Sequence, residues 1–299
     1  MKIAFFGLPM AAVLLARDGH TVVYAAASAS APGLRRLARR IAPGRTELKP
    51  IATDEETLGR VRQAAPDLIV SWFWTTKLPQ SVLDLAPALG VHPSLLPRHR
   101  GADPYFWAID SGDEVTGVTA HLLNPEYDTG AIVARRELRI APEWNAWQLA
   151  RALDRPSLAL LREVVRAYAE GHPPEPKRQD ESAATDAPAP GDEELAIRWS
   201  WPSFRVCARV RAAAPWPGAW TEINDRIVTL VGVRPTRDFP RVLEPGEAMV
   251  RPDGRAVVRT GDGAVELLEG RDEEDRPIRC AELANLVRQA VRSETFPGH

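Results

Sequence analysis

The chain has 299 residues, 44% of them hydrophobic and 26% charged, with a formal net charge of −2. That length suits one large domain or two ordinary ones, and the composition is that of a soluble globular protein. The near-zero charge excludes a global pull toward nucleic acid or anionic membrane, so a nucleic-acid partner would need a local basic patch. Cys207 and Cys280 stand far apart with no neighbouring His cluster, which argues against a zinc site or a disulfide framework and for reduced thiols. Residues 2–16 imitate a secretory leader, but Arg17, Asp18 and His20 interrupt before a cleavage site, and no stretch is long enough to span a bilayer. The expectation is a cytoplasmic protein without a membrane partner.

In chain order, Ile3 to Phe6 reads as a first buried parallel strand ending at Gly7, Met10 to Ala16 as a helix and Thr21 to Ala25 as the next strand. No G-x-G-x-x-G accompanies this opening, so it gives no dinucleotide site. Residues 34–42 place Leu34, Leu37 and Ile41 on one helical face and Arg35, Arg36, Arg39 and Arg40 on the other. That basic face is a solvated surface or a patch for a phosphate-bearing acceptor.

Asp67 to Phe73 is a third buried strand, with Trp72 and Trp74 at its carboxyl end, where open α/β sheets bind ligands. Strand alternation predicts that the two rings share one face, as core packing or as a platform for a flat ligand. Pro79 to Leu85 reads as a helix, and residues 89–92 as the strand end that delivers a loop clamped by Pro93, Pro97 and Pro104. Asp103-Pro104 starts a helix that stops near Gly112. Val115 to Leu123 is a strand in which His121 reads as a core histidine, and residues 123–128 form a loop. Together these elements fold back far enough to bring His92 to Asp128, an imidazole–carboxylate pair suited to proton handling. Ala131 to Ile140 is a further strand, and Asn145 to Tyr168 a helix broken or kinked at Pro156.

From His172 to Gly191 prolines, small residues and charges mark an exposed linker. Past it come a helix at Ser203–Ala213 and short β runs at Ala219–Ile223, Arg226–Val233, Ala256–Thr260 and Ala264–Glu269, punctuated by turn signals. The predicted plan is an α/β catalytic domain at 1–172, a linker at 173–191 and a small β-rich, barrel-like domain at 192–299. Trp199, Trp201, Trp216 and Trp220 read there as packing.

HPSLLPRHRG at 92–101, followed by a small residue, Pro, an apolar helix, GD, TGVT and DTGAI, resembles the folate-dependent formyltransferases. That superfamily includes the methionyl-tRNA, glycinamide ribonucleotide and amino-sugar-nucleotide enzymes. AAAPWPGAW and GDGAVELLEG are similar to the OB-like C-terminal domain of its methionyl-tRNA and amino-arabinose-nucleotide members. The resemblance implies a Rossmann-like mostly parallel sheet and transfer of a formyl group from 10-formyltetrahydrofolate to a primary amine, without a metal. It implies catalytic roles for His92 and Asp128, with Asp128 raising the His92 pKa. It also implies folate contacts around Trp72, Trp74, Leu96, Arg100, Leu123, Glu126 and Tyr127, and an acceptor side at Ser94.

The chain departs from the family at Gly90, where the pattern has an Asn two residues before its His. Loss of one oxyanion donor costs roughly 2.7–4 kcal/mol, so the enzyme is slower, rescued by another donor such as Asn124 or a backbone N–H, or doing something else with the same pocket. SASAPG at 28–33 replaces the longer basic loop of the methionyl-tRNA enzymes, which leans toward an amino-sugar nucleotide over tRNA. A formyltetrahydrofolate hydrolase and a catalytically degenerate folate-binding protein are the alternative functions.

Overall fold

The computed structural model describes residues 1–27, 31–39, 46–48, 55–223 and 226–293. The chain divides into two compact units. The first holds Met1–Pro104, Val115–Arg139 and Arg151–Pro188; the second holds Tyr105–Glu114, Ile140–Ala150 and Ala189–His299.

The first unit is built on a seven-stranded sheet of β1 (Lys2–Gly7), β2 (Thr21–Ala27), β3 (Thr46–Leu48), β4 (Leu68–Trp72), β5 (Ala88–His92), β6 (Val115–Leu122) and β7 (Ile132–Arg139). Their order is β3-β2-β1-β4-β5-β6-β7. The first five run parallel, and β6 and β7 add antiparallel edges. The central strands are apolar and buried on both faces, as helix-covered parallel strands must be. The winding reverses between β1 and β4, so the crevice of such a sheet lies over the carboxyl ends of those strands and their neighbour β5.

The turn after β1 admits only glycine. Gly7 has φ +135°, and a Cβ there would sit 1.8 Å from the Trp72 carbonyl oxygen. Helix α1 (Pro9–Arg17) starts directly after it, with Pro in its first turn. Helix α2 (Leu34–Ala38) is a single turn that buries Leu37 and leaves Arg35, Arg36 and Arg39 exposed, while Arg40 and Ile41 lie outside the described residues. Helices α3 (Glu55–Ala64) and α4 (Gln80–Leu83) put Val61 and Val82 into a core cluster with Phe6, Tyr24 and Ile69.

Helix α5 (Pro104–Asp110) and the first turns of α6 (Ala146–Ala169) belong to the second unit. Helix α6 is not broken at Pro156, the first of the two expected outcomes, but runs through it as one helix. The second unit adds α7 (Asp192–Leu195) and α8 (Ser203–Ala213) and a six-stranded antiparallel sheet. Its strands are β8 (Ala219–Ile223), β9 (Arg226–Thr236), β10 (Ala248–Val250), β11 (Ala256–Arg259), β12 (Ala264–Arg271) and β13 (Pro277–Arg279), followed by α9 (Cys280–Ser293).

Asp110, 2% exposed, takes the guanidiniums of Arg205 and Arg209, and both cations also stack 4.9 Å from the Trp201 ring. Trp199 and Trp220 donate to the Thr221 hydroxyl and the Asp192 carbonyl. Trp216 departs from the expected packing: it is 69% exposed, beneath the Arg271 guanidinium. Among the described residues no helix is long and apolar enough to cross a membrane.

The expected linker at 173–191 has structure. Lys177 exchanges backbone hydrogen bonds with Ile132, while the Arg100 N–H donates to the Thr185 carbonyl and the Arg100 carbonyl accepts from the Ala187 N–H. Residues up to Pro188 therefore belong to the first unit.

Candidate active site

Strand β5 ends at His92, and the loop after it is pinned at nearly every step. Thr119 on β6 donates to the Ser94 carbonyl and accepts from the Leu96 N–H. The Ser94 hydroxyl donates to the Arg98 carbonyl at 2.6 Å, and the His99 N–H donates to the Thr185 hydroxyl. Arg100 gives its guanidinium to Gln179 and to the Glu181 carboxylate, so this cation is committed within the first unit.

Asp128 sits in the left-handed region at φ 56°, a conformation that costs on the order of 1–3 kcal/mol in a non-glycine residue unless its surroundings hold it. Two bonds hold it. The Gly101 N–H donates to Oδ2 at 3.0 Å, and the Gln179 amide donates to the carbonyls of Asp128 and Gly130, each at 2.7 Å.

The fold brings His92 and Asp128 together, with Nδ1 3.4 Å from Oδ2. The other imidazole nitrogen, Nε2, lies 2.7 Å from the His99 carbonyl. His121 joins them from β6: its Nε2 is 3.5 Å from Asp128 Oδ1 and its Nδ1 is 2.9 Å from the Leu122 carbonyl. Both carboxylate contacts are longer than the about 2.7–2.9 Å of a closed charge-assisted bond. Burial, the largest influence, holds the His92 imidazole below its ordinary 6.5, and the pull of Asp128 in the other direction does not reverse this. Asp128 does pull the His92 pKa upward, as the resemblance implies, but the desolvation of the almost wholly buried ring outweighs that pull. Burial also works to raise Asp128, but the His121 and His92 contacts and the Gly101 N–H outweigh it and hold the carboxyl below 3.8.

The remaining sequence-predicted residues divide. Gly90 is paired directly across from His121, and a Cβ on it would lie 2.7 Å from Leu123 Cδ2 and 3.3 Å from His121 Nε2. Asn124 does not fill that space: it lies on the exposed turn, where its carbonyl oxygen accepts from the Thr129 hydroxyl. Trp72 and Trp74 do not share a face, because β4 ends at Trp72 and Phe73 turns left-handed at φ 54°. Trp72 is buried with its Nε1 on Ser157 of α6, so it packs as core. Trp74 lies against the cluster containing Phe6 and Ile69, where its buried Nε1 has no hydrogen-bond partner among the described residues. Leu123 packs on the same cluster. Leu96 is fully buried. Glu126 and Tyr127 are exposed and latch the 123–128 loop to residues 75–77, through Lys77 at 3.0 Å and the Thr75 carbonyl at 3.2 Å.

Sequence reasoning missed Gln179, hidden in a stretch that reads as linker; His121 is the buried, hydrogen-bonded histidine expected, but its contact with Asp128 was not foreseen. The signal for His121 was its place in a strand paired with the one that carries His92. Among the described residues no group of three His, Cys, Asp or Glu side chains could hold a metal ion.

The fold and the cluster define the class: an α/β enzyme with its titratable side chains gathered beyond the carboxyl end of the parallel sheet. Residues 17–165 match the family described as formyl transferase, and residues 191–288 its C-terminal domain. The methionyl-tRNA formyltransferase of Anaeromyxobacter dehalogenans strain 2CP-1 is 36% identical, over 97% of this chain and 98% of that protein. That of Thermus thermophilus is 34% identical over 95% of each. Among solved structures, an N-formyltransferase from Helicobacter canadensis in complex with folinic acid and dTDP-3-aminofucose covers 89% of this chain and 98% of that one, with TM-score 0.67 and 14% identity. This chain belongs to the formyl transferase family and is a formyltransferase.

Proposed function

We propose that the chain transfers the formyl group of 10-formyltetrahydrofolate to the amino group of methionyl-tRNA, with His92 and Asp128 handling the proton. The observation that carries the acceptor is length: relatives named methionyl-tRNA formyltransferase match from end to end at 36% identity, including the C-terminal unit. Three exposed arginines on and just after α2, Arg35, Arg36 and Arg39, supply local positive charge on a chain with no net excess of it. Such a patch suits a phosphate backbone.

The donor side fits a flat, amide-bearing ring. Trp74 offers a buried indole N–H without a partner among the described residues, Leu123 an apolar wall on the same cluster, and the 123–128 loop its backbone. Arg100 is not free to bind the donor, since Gln179 and Glu181 occupy it. His92, neutral because burial disfavours its charge, is suited to accept the ammonium proton of the attacking amine, and the Asp128 carboxylate stabilises the imidazolium that results. The held loop fixes both groups before substrate arrives, so little ordering remains to be done during the reaction.

The short uncharged run at 28–33 favours a second reading, a small amine on a nucleotide sugar. Incubation with 10-formyltetrahydrofolate and either methionyl-tRNA or an amino-sugar nucleotide separates them. Formylmethionyl-tRNA as the fast product supports the first, formylated sugar the second. Formate released without any amine would make the protein a hydrolase, and saturable folate binding without turnover a binding protein.

A further inference from the structure

Residues 177–187, which read as linker, hold Asp128 from two sides. Lys177 pairs antiparallel with Ile132 at the start of β7, and this carries the chain on until residue 179 lies beside the turn at 128–130. There Gln179 uses its whole amide. Its Nε2 donates to the carbonyls of Asp128 and Gly130, each at 2.7 Å, and its Oε1 accepts from Arg100 Nε and Nη2 at 3.1 and 2.7 Å. The partners fix which end of the amide is which, since a carbonyl only accepts and a guanidinium only donates. An ionised glutamate at 179 would have no hydrogen to give, and a lysine could not accept.

The second hold runs through Arg100. Its guanidinium reaches past Gln179 to both oxygens of Glu181, at 2.8 and 2.9 Å. Its backbone is tied to the same segment, the N–H donating to the Thr185 carbonyl at 2.8 Å and the carbonyl accepting from the Ala187 N–H at 2.6 Å. Residue 100 is thus fixed at side chain and main chain together. The next N–H, of Gly101, donates to Asp128 Oδ2 at 3.0 Å. One connected set of bonds therefore grips Asp128 by its backbone, through Gln179, and by its carboxylate, through Arg100 and Gly101. The carboxylate so placed stands 3.4 Å from His92 Nδ1. Asp128 keeps its left-handed φ of 56° under this grip, a conformation that relaxes when the surroundings no longer impose it.

We propose that Gln179 and Arg100 are positioning residues of the formyl-transfer site, a clamp that sets the Asp128 carboxylate against His92 before substrate binds. The proposal rests on the formyl-transfer reading, in which His92 and Asp128 handle the proton. It gives residues 177–187 a part in the reaction beyond joining two units.

Two variants of the full chain test it. Gln179→Met is close in size, uncharged and unable to donate or accept as the amide does. Gln179→Glu keeps an acceptor for Arg100, so a contact that only braces the fold would tolerate it, but its carboxylate cannot serve the Asp128 and Gly130 carbonyls. Turnover of 10-formyltetrahydrofolate with methionyl-tRNA is measured against pH, and donor binding with 5-formyltetrahydrofolate. Both variants should lower kcat at least about tenfold, toward the about 10²-fold that a displacement near 1 Å can cost, with donor binding within about twofold of wild type. In Gln179→Met the acid limb of kcat/KM should also move to lower pH. Asp128, His121 and His99 are the titratable groups around His92, and of these Asp128 pulls the ring upward, so a displaced carboxylate pulls less. A Gln179→Glu variant within about threefold of wild type overturns the proposal and leaves the formyl-transfer reading standing, as does a Gln179→Met variant whose acid limb stays in place. A wild-type chain that formylates no amine overturns both. If neither variant folds, side-chain amide hydrogen exchange of the unmodified protein decides: slow exchange at Gln179 supports the clamp, and exchange as fast as that of a free glutamine contradicts it.

Discussion

Two aspartates, Asp110 buried in the second unit and Asp128 partly buried in the first, stand in opposite surroundings. Asp110 is closed: Arg209 reaches both of its oxygens at 2.7 and 3.1 Å, and Arg205 adds a third bond at 2.7 Å. Its neighbours are permanent cations with no other state. Asp128 is open: one firm bond comes from the Gly101 N–H, and its two imidazole contacts stand at 3.4 and 3.5 Å. Its neighbours can gain or lose a proton. A saturated carboxylate holds chain segments together, whereas one left slack among titratable rings can move charge.

The comparison predicts opposite phenotypes. The largest effect on rate belongs to the open cluster: His92→Ala or Asp128→Ala should lower kcat about 10²–10⁴-fold, read from formyl transfer under saturating donor, with a smaller loss of stability than at Asp110. The largest effect on stability belongs to the closed one. Asp110→Ala leaves two guanidiniums facing a void and should cost about 3–5 kcal/mol, measured by urea unfolding, while the folded fraction keeps its kcat. An Asp110 variant that melts normally but does not turn over would reverse the assignment.

Smaller effects probe what keeps Asp128 in place. Gln179→Ala removes the amide from the Asp128 and Gly130 carbonyls and one partner from Arg100. Buried groups left unpaired cost about 1–3 kcal/mol, and kcat should fall about tenfold, a factor worth about 1.4 kcal/mol, as Asp128 relaxes from its left-handed backbone. Gly90→Asn should lower activity by a similar factor, because its Cβ meets Leu123 and the His121 ring. A tenfold gain in that variant would show that the ground over Gly90 is open to a new donor.

The mildest prediction concerns pH. Folded His92 resists protonation below its ordinary 6.5, whereas the unfolded chain takes up the proton there. The unfolded state then binds more protons, so stability falls as pH drops through and below 6.5. Asp128 adds to the loss lower down, as pH falls below 3.8 through its folded value. The acid limb of kcat/KM should lie below 6.5. Asp128→Asn should move it lower still, because the carboxylate is what pulls the ring upward.

Much of this was legible in the sequence, for identifiable reasons. Parallel strands buried on both faces write themselves as apolar runs, and the prolines at 93, 97 and 104 mark a loop too constrained to be a plain connection. The pairing of His92 with Asp128 followed from the strand and turn between them. Three things escaped. Residues 173–188 have the composition of a linker, and their attachment through Lys177, Gln179, Thr185 and Ala187 runs mostly over backbone groups that any sequence carries. Trp72 and Trp74 parted because Phe73 turns left-handed, which alternation cannot foresee in a residue that is not glycine. The sign of the His92 shift turned on how completely the ring is desolvated, a property of the packed structure.

The claim at the centre is that His92 and Asp128 act as one unit in formyl transfer. A double-mutant cycle on kcat for formylation of methionyl-tRNA by 10-formyltetrahydrofolate, using His92→Ala, Asp128→Ala and the pair, measures it directly. Residues that work as a unit lose their function together, so the double variant should be no more than about threefold worse than the worse single. Losses that multiply in full, each single change acting as though the other residue were untouched, would contradict the claim.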